Sequence, residues 1–330
     1  MKEFQLYGLG NALVDIFVEV SDDEFRSLGF ERGSSRLVEA GEQKALLERF
    51  QGHDLRLVSG GSVANSVIAF SQLGGDAAFL GCVGDDRYGL FYESEFEELG
   101  IETGRMVLVG ETTGTCACLI TPDAERTMRV SLACAGRLAA KHVDAERLKK
   151  AEWLFIEGYG FANPDTMQSA IRAALGAARA NGVKVAVTCS EAFIVNAFRD
   201  PFFEVLKQAD LLFCNADEAA AVTGVQGAKE AFAKLKGVVP SAVVTDGPHG
   251  AYVRHGGVEA HVAAFPCRPV DLTGAGDMLA GAFLYGITHG VAADKAARAA
   301  CFLAMKVITQ VGARLHHGTR QFWDECLAST

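Results

Sequence analysis

The 330-residue chain has no stretch dense in lysine and arginine, and its 31 basic against 41 acidic residues leave a formal charge of −10. A protein that follows a nucleic-acid backbone needs a basic footprint, so nucleic acid is not expected as a partner. Small phosphorylated ligands stay compatible, because local amides and magnesium hold them against an unfavourable overall field. Glycine nowhere precedes lysine, which excludes a Walker A loop. C-x-x-C and H-E-x-x-H are both missing, which argues against a zinc ribbon or a helix-borne zinc protease. The nine cysteines, at 82, 116, 118, 134, 189, 214, 267, 301 and 326, are read as reduced core thiols. No window of eighteen uninterrupted apolar residues occurs, and Met1–Gly8 carries no charged-then-apolar leader pattern, so no membrane association is expected and the location is taken as cytoplasmic. Repeats, low-complexity tracts and linkers are also missing. What is present, 49% hydrophobic and 22% charged residues, describes a globular chain long enough to bury a large core.

Short β-branched runs alternate with longer helical patterns, which predicts βαβ units: an α/β fold with a parallel-dominated sheet covered on both faces. Strands are expected at Phe4–Gly10, Leu55–Val58, Ala77–Val83, Trp153–Ile156, Val183–Thr188, Leu211–Cys214 and Ala242–Thr245. Helices are expected at Ser62–Leu73, Gly89–Leu99, Asp165–Ala180, Ala216–Val222, Ala228–Leu235, Ala275–His289 and Ala292–Gln310. Two segments, 12–40 and 106–132, break the rhythm with alternating runs such as Ile16–Val20 and Thr115–Ile120. They read either as edge hairpins of the main sheet or as a small β lid over a large domain of 1–11, 41–105 and 133–330.

The run Asp271-Leu272-Thr273-Gly274-Ala275-Gly276-Asp277 carries the chemistry. Glycines around Ala275 permit a tight turn into an apolar helix whose first amides lack intrahelical acceptors. Gly274, Ala275 and Gly276 thus form an anion cradle. Asp277, in the first turn, is badly placed to bind a phosphate but well placed to take a proton from a hydroxyl attacking one. The plainer reading is a glycine-punctuated turn with a first-turn acid that suits the helix dipole.

Four further clusters follow strands. Gly8–Asp15 superficially matches a dinucleotide fingerprint, but Leu13 stands where the third glycine belongs and a strand-like run follows. What remains is Asp15, able to accept two hydroxyls of a polyol, or a solvated turn aspartate. Gly60-Gly61-Ser62-Val63-Ala64-Asn65-Ser66 allows close backbone approach, with Asn65 offering donor and acceptor. Asn215 with Glu218 is a capping box, a place to organise hydrated magnesium, or both. Thr245-Asp246-Gly247-Pro248-His249-Gly250 is a hairpin turn whose amides and hydroxyl suit the outer phosphates of a nucleotide.

Taken in order, these motifs resemble the ribokinase-type (PfkB) sugar and nucleoside kinases, with Leu272 the one departure from the D-T-T-G-A-G-D signature. The resemblance implies a three-layer α/β/α body with a β lid, and ATP and Mg²⁺ as cofactors. It implies Asp277 as catalytic base, with Gly274, Ala275 and Gly276 stabilising the transferred phosphate. Asp15, Asn11, Gly61, Asn65 and Glu157 would bind the acceptor. Asn215 and Glu218 would hold magnesium through water, and Thr245, Gly247 and Gly250 would contact ATP. Asp271 and Thr273 would lie at a monovalent-cation site, K⁺ in some members. Gly10–Asp15, Gly60–Ser66 and Pro122–Met128 lean toward the adenosine-kinase branch, with Phe17 and Phe161 as base-stacking candidates or, as aromatics beside strands usually are, core. Ribose, fructose or a keto-deoxy acid stays open as acceptor, as do a catalytically silent sensor on the same scaffold and a monomer or homodimer.

Overall fold

The structure, a computed structural model, describes residues 2–104, 107–123 and 125–329. Met106, where the second excursion was taken to begin, and Ala124 within the Pro122–Met128 run lie outside the described residues.

Nine strands form the main sheet, in the spatial order Val258–Val262, Ala251–His255, Ser241–Thr245, Leu211–Asn215, Lys184–Thr188, Ala151–Glu157, Phe4–Leu9, Ala77–Leu80 and Glu102–Thr103. All pairings are parallel except those of the hairpin Ala251–His255 and Val258–Val262. Successive side chains of these strands enter separate cores. Leu6, Phe155, Leu211 and Phe213 pack on one side, while Tyr7, Leu9, Leu154, Ile156 and Leu212 pack on the other. A sheet buried on both faces needs continuous apolar strands rather than alternating ones, which is what the sequence supplies. Each core is closed by helices. In Met167–Ala180 the buried residues recur at helical spacing (Met167, Ala170, Ile171, Ala174, Ala178), so one face covers the sheet. Helices Ser62–Gln72, Ala275–Thr288 and Ala293–Val307 cover the opposite side.

A second sheet of five strands runs in the order Ser35–Leu37, Arg126–Ser131, Gly114–Ile120, Leu13–Glu19 and Arg56–Gly60. Four of its strands come from the two excursions. The fifth is a correction: the strand expected at 55–58 forms, but pairs antiparallel with Leu13–Glu19 instead of joining the main sheet, where 41–105 had placed it. Periodicity identified a strand; it carried no information about the partner. The first excursion also holds a helix, Asp22–Leu28, started by a complete Ser21/Glu24 capping box.

Candidate active site

Asp277 stands where two helix N-termini converge. Its own helix, Ala275–Thr288, begins after Gly274, whose φ of 77° is left-handed; a Cβ there would sit 2.2 Å from the Ala313 carbonyl oxygen. Only glycine fits both demands. The second helix, Ser62–Gln72, begins after Gly61, at φ 111°, where a Cβ would sit 2.0 Å from the Asn11 carbonyl oxygen. From that helix the Ser62 hydroxyl donates to one Asp277 oxygen at 2.8 Å and the Asn65 amide to the other at 3.0 Å. Burial pushes the Asp277 carboxyl up to about 6, against the pull of these two donors. The result is a fixed carboxylate poised to accept a proton near neutral pH. Sequence reasoning had given Asn65 to the acceptor and Ser62 no role. The structure ties both to Asp277, and the buried Asn65 Oδ1 has no partner among the described residues.

Glu157 ends the strand Ala151–Glu157 and is fully buried. One oxygen accepts from the Asn11 backbone at 2.7 Å and from the Asn11 side chain; the other accepts from the Val63 amide at 3.3 Å. It therefore fastens Gly10–Asn11 and Gly61–Val63 together, a positioning task that the sequence did not announce. Burial drives its carboxyl up to about 7. Asn11 Oδ1 is a second buried acceptor without a partner among the described residues, so unspent hydrogen-bonding capacity gathers here.

Asp15 lies not in a turn but within the strand Leu13–Glu19, opposite Cys116 and Val58. Burial raises its carboxyl to about 6; Arg314 and Arg126 oppose this and Asp277 reinforces it. Arg126, absent from the expected site, reaches from the second sheet to form an ion pair with Asp271 and lies 5.6 Å from the Phe17 ring centroid. Arg56 covers the same ring at 4.2 Å. Phe161, the other aromatic singled out, packs edge-on against Phe202 at 5.4 Å and belongs to the core. Asp271 also accepts from the Thr273 amide and hydroxyl and from the Gly312 amide, at 3.1, 2.7 and 2.7 Å. Although burial works upward on it, these donors and Arg126 hold its carboxyl below the usual range.

On the other side of the cradle, a cleft of about 610 Å³ runs from Thr245, Gly247 and Gly250 to Ala275 and Gly276. The hairpin turn and the anion cradle, apart in sequence, thus share one cavity whose remaining wall is apolar, with Phe265 and Leu279 in it. Asn215 and Glu218 form the full capping box, with all three mutual hydrogen bonds at 2.9 Å. Burial raises the Glu218 carboxyl to about 7, with Glu191, Asp217 and Asp277 adding to the rise. Eight cysteines are buried as expected, but Cys267 is exposed at the cleft. His316 and His317 are exposed, as read from the sequence. Among the described residues no helix is long and apolar enough to cross a membrane.

A main sheet of this topology, a second sheet set against it and an acid at a glycine-made anion corner define a ribokinase-like α/β phosphotransferase. The profile of the pfkB family carbohydrate kinases matches residues 42–318, and the chain belongs to that family. It is similar to an adenosine kinase of Saccharomyces cerevisiae, 27% identical over 92% of this chain and 94% of that protein. A ribokinase of Haemophilus influenzae is 26% identical over 83% of this chain and 89% of the other. Among solved structures, the adenosine kinase of Sinorhizobium meliloti superposes with a TM-score of 0.86 at 29% identity, covering 98% of this chain and 99% of that one. The chain is thus a kinase with an alcohol group as acceptor.

Proposed function

We propose that this kinase transfers the γ-phosphoryl group of ATP to a hydroxymethyl group of a nucleoside, with the 5′-hydroxyl of adenosine as the preferred acceptor. The observation that carries the reading is the position of Asp277: fixed by Ser62 and Asn65, and next to cradle residues Ala275 and Gly276 that also line the 610 Å³ cleft. Triphosphate in that cleft would bring its terminal group to the amides of Gly274–Gly276, while Asp277 takes the proton of the attacking hydroxyl. Asp15, from the second sheet, accepts the acceptor's other hydroxyls, and the open Oδ1 atoms of Asn11 and Asn65 supply further contacts. Glu157 keeps the two loops in register.

Asn215 and Glu218 would hold hydrated Mg²⁺; the surplus of negative charge from Glu191, Asp217 and Glu218 fits a cation there. When bound, the ion neutralises charge on the phosphates. A monovalent cation at Asp271 and Thr273 finds that carboxylate already engaged by Arg126. The preference for adenosine rests on likeness to the adenosine kinases of Saccharomyces cerevisiae and Sinorhizobium meliloti and on the lean of the 10–15 and 60–66 motifs. Initial rates of ADP formation with adenosine, ribose and fructose at one ATP concentration test it. Adenosine should give the highest kcat/KM, and a higher value for either sugar would reassign the acceptor.

A further inference from the structure

The face of the second sheet that carries Asp15 also carries two thiols. Cys116 and Cys118 are two apart on the strand Gly114–Ile120, so both side chains emerge on one side of it. The parallel pairing with Leu13–Glu19 sets Asp15 directly beside Cys116. The two sulfurs lie 3.5 Å apart, and the carboxylate oxygen and both sulfurs all fall within 4.8 Å of one another. An i, i+2 pair on a strand spans about 6.6 Å between Cα atoms, the long end of the disulfide range, and both thiols are free here. It does suit a shared ion. Two thiolates on one tetrahedral zinc, with Zn–S bonds of about 2.3 Å, are separated by about 3.8 Å. The sulfur spacing found here needs only a small adjustment to reach that value.

We propose that Asp15, Cys116 and Cys118 form a binding site for one soft divalent cation of the zinc class. Thiolate donors select such ions and disfavour magnesium and calcium, which take oxygen ligands. On binding, each thiol passes its proton to solvent, and two thiolates with one carboxylate balance the ion's charge with one negative charge to spare. Three protein donors leave a coordination position for water. Phe17, Val58, Ile120, Met128 and Val130 pack around the thiols, with the Met128 thioether a further soft sulfur among them, while the Arg126 and Arg314 guanidiniums act on the Asp15 carboxylate and favour its ionised form. The site does not depend on Asp15 also holding the acceptor; what depends on that reading is the consequence, that an ion here occupies the acceptor's carboxylate and inhibits the kinase.

Cadmium titrated into the full chain without ATP or acceptor gives the direct test, read by thiolate-to-metal charge transfer in the ultraviolet. The expected result is one ion per chain. Cys116→Ser and Cys118→Ser, each close in shape to the parent, should weaken binding by no less than the roughly 10–100-fold lost with an outer-shell partner. Cys267→Ser, which removes the exposed thiol, should leave it unchanged. Should a serine variant not fold, Asp15→Asn gives a second arm, since cadmium should raise the parent's melting temperature and raise that of Asp15→Asn less. A charge-transfer band undiminished in both single variants, or no band in the parent, overturns the site. Displacement of the bound ion by adenosine tests the acceptor clamp separately, and its failure would leave the metal site standing.

Discussion

At the scale of single residues, the site is a set of charges forced into proximity by helix starts. Asp277→Asn is expected to fold, because Asn65 can turn its side-chain amide and offer the unpartnered Oδ1 to the new NH₂ group. Its turnover should fall on the order of 10²- to 10⁴-fold, the range for loss of a general base, while ATP binding survives. Steady-state rates with a nucleotide-binding titration check this, and turnover near the parent's would remove Asp277 from the mechanism. In the parent, Asp277 must be ionised to accept a proton, so kcat should fall as pH drops below about 6. Asp15→Ala has another signature, a raised acceptor KM with the KM for ATP little changed; an unaltered acceptor KM would mean that Asp15 does not hold the acceptor. Much of this was legible in sequence because glycines before an acid announce their geometry. The bonds from Ser62 and Asn65 were not, since they span 215 and 212 residues and no local pattern encodes such a separation.

At the scale of elements, most helices with strong apolar periodicity appeared within about two residues of their expected ends, the margin by which helix ends are defined at all. Ser62–Gln72 and Ala275–Thr288 are examples, while Ala293–Val307 stops three residues short of the expected Gln310. Of the short ones, Ala216–Thr223 and Ala228–Lys234 match their expectations and others were not read. Ala192–Ala197 and Arg199–Leu206 are separated by Phe198, too little chain on either side for a face to repeat. Arg56–Gly60 joined the second sheet by pairing with Leu13–Glu19, a partner some forty residues away that no single strand's pattern encodes. The second sheet is tied to the main body by Arg126 and Asp271, the latter in the loop before helix Ala275–Thr288, with side chains 13% and 10% exposed. Arg126→Ala leaves a buried carboxylate with amide and hydroxyl donors alone, at a cost on the order of 1–3 kcal/mol in urea unfolding. The loss should be local. Amide hydrogen exchange should quicken in Gly114–Ile120 and Arg126–Ser131 and stay unchanged in Ala151–Glu157 and Lys184–Thr188. An equal increase in both sheets would mean that the pair does not act as their tie.

At the scale of the whole molecule, four carboxyls whose burial raises them, Asp15, Glu157, Glu218 and Asp277, gather where the second sheet meets the main one. For each, the folded chain holds its proton more tightly than the unfolded chain does. Stability from such a group is therefore complete below its unfolded value and is lost as pH rises through its folded value. For Asp277 that window runs from 3.8 to about 6. For Glu157 it runs from 4.5 to about 7, a difference on the order of 3 kcal/mol for a fully buried group. His142 and His255 act in the opposite sense over part of the same range, because burial lowers them and their neutral form is favoured as pH rises toward 6.5. Comparing the parent with Asp277→Asn cancels every group but the one replaced and those coupled to it. Asp277→Asn should gain on the parent as pH rises from 4 to 6 and hold a constant margin above that, measured as urea midpoints at fixed ionic strength. A margin that shrinks over the window would mean that folding favours the ionised carboxylate, and burial would then not be what raises the Asp277 carboxyl.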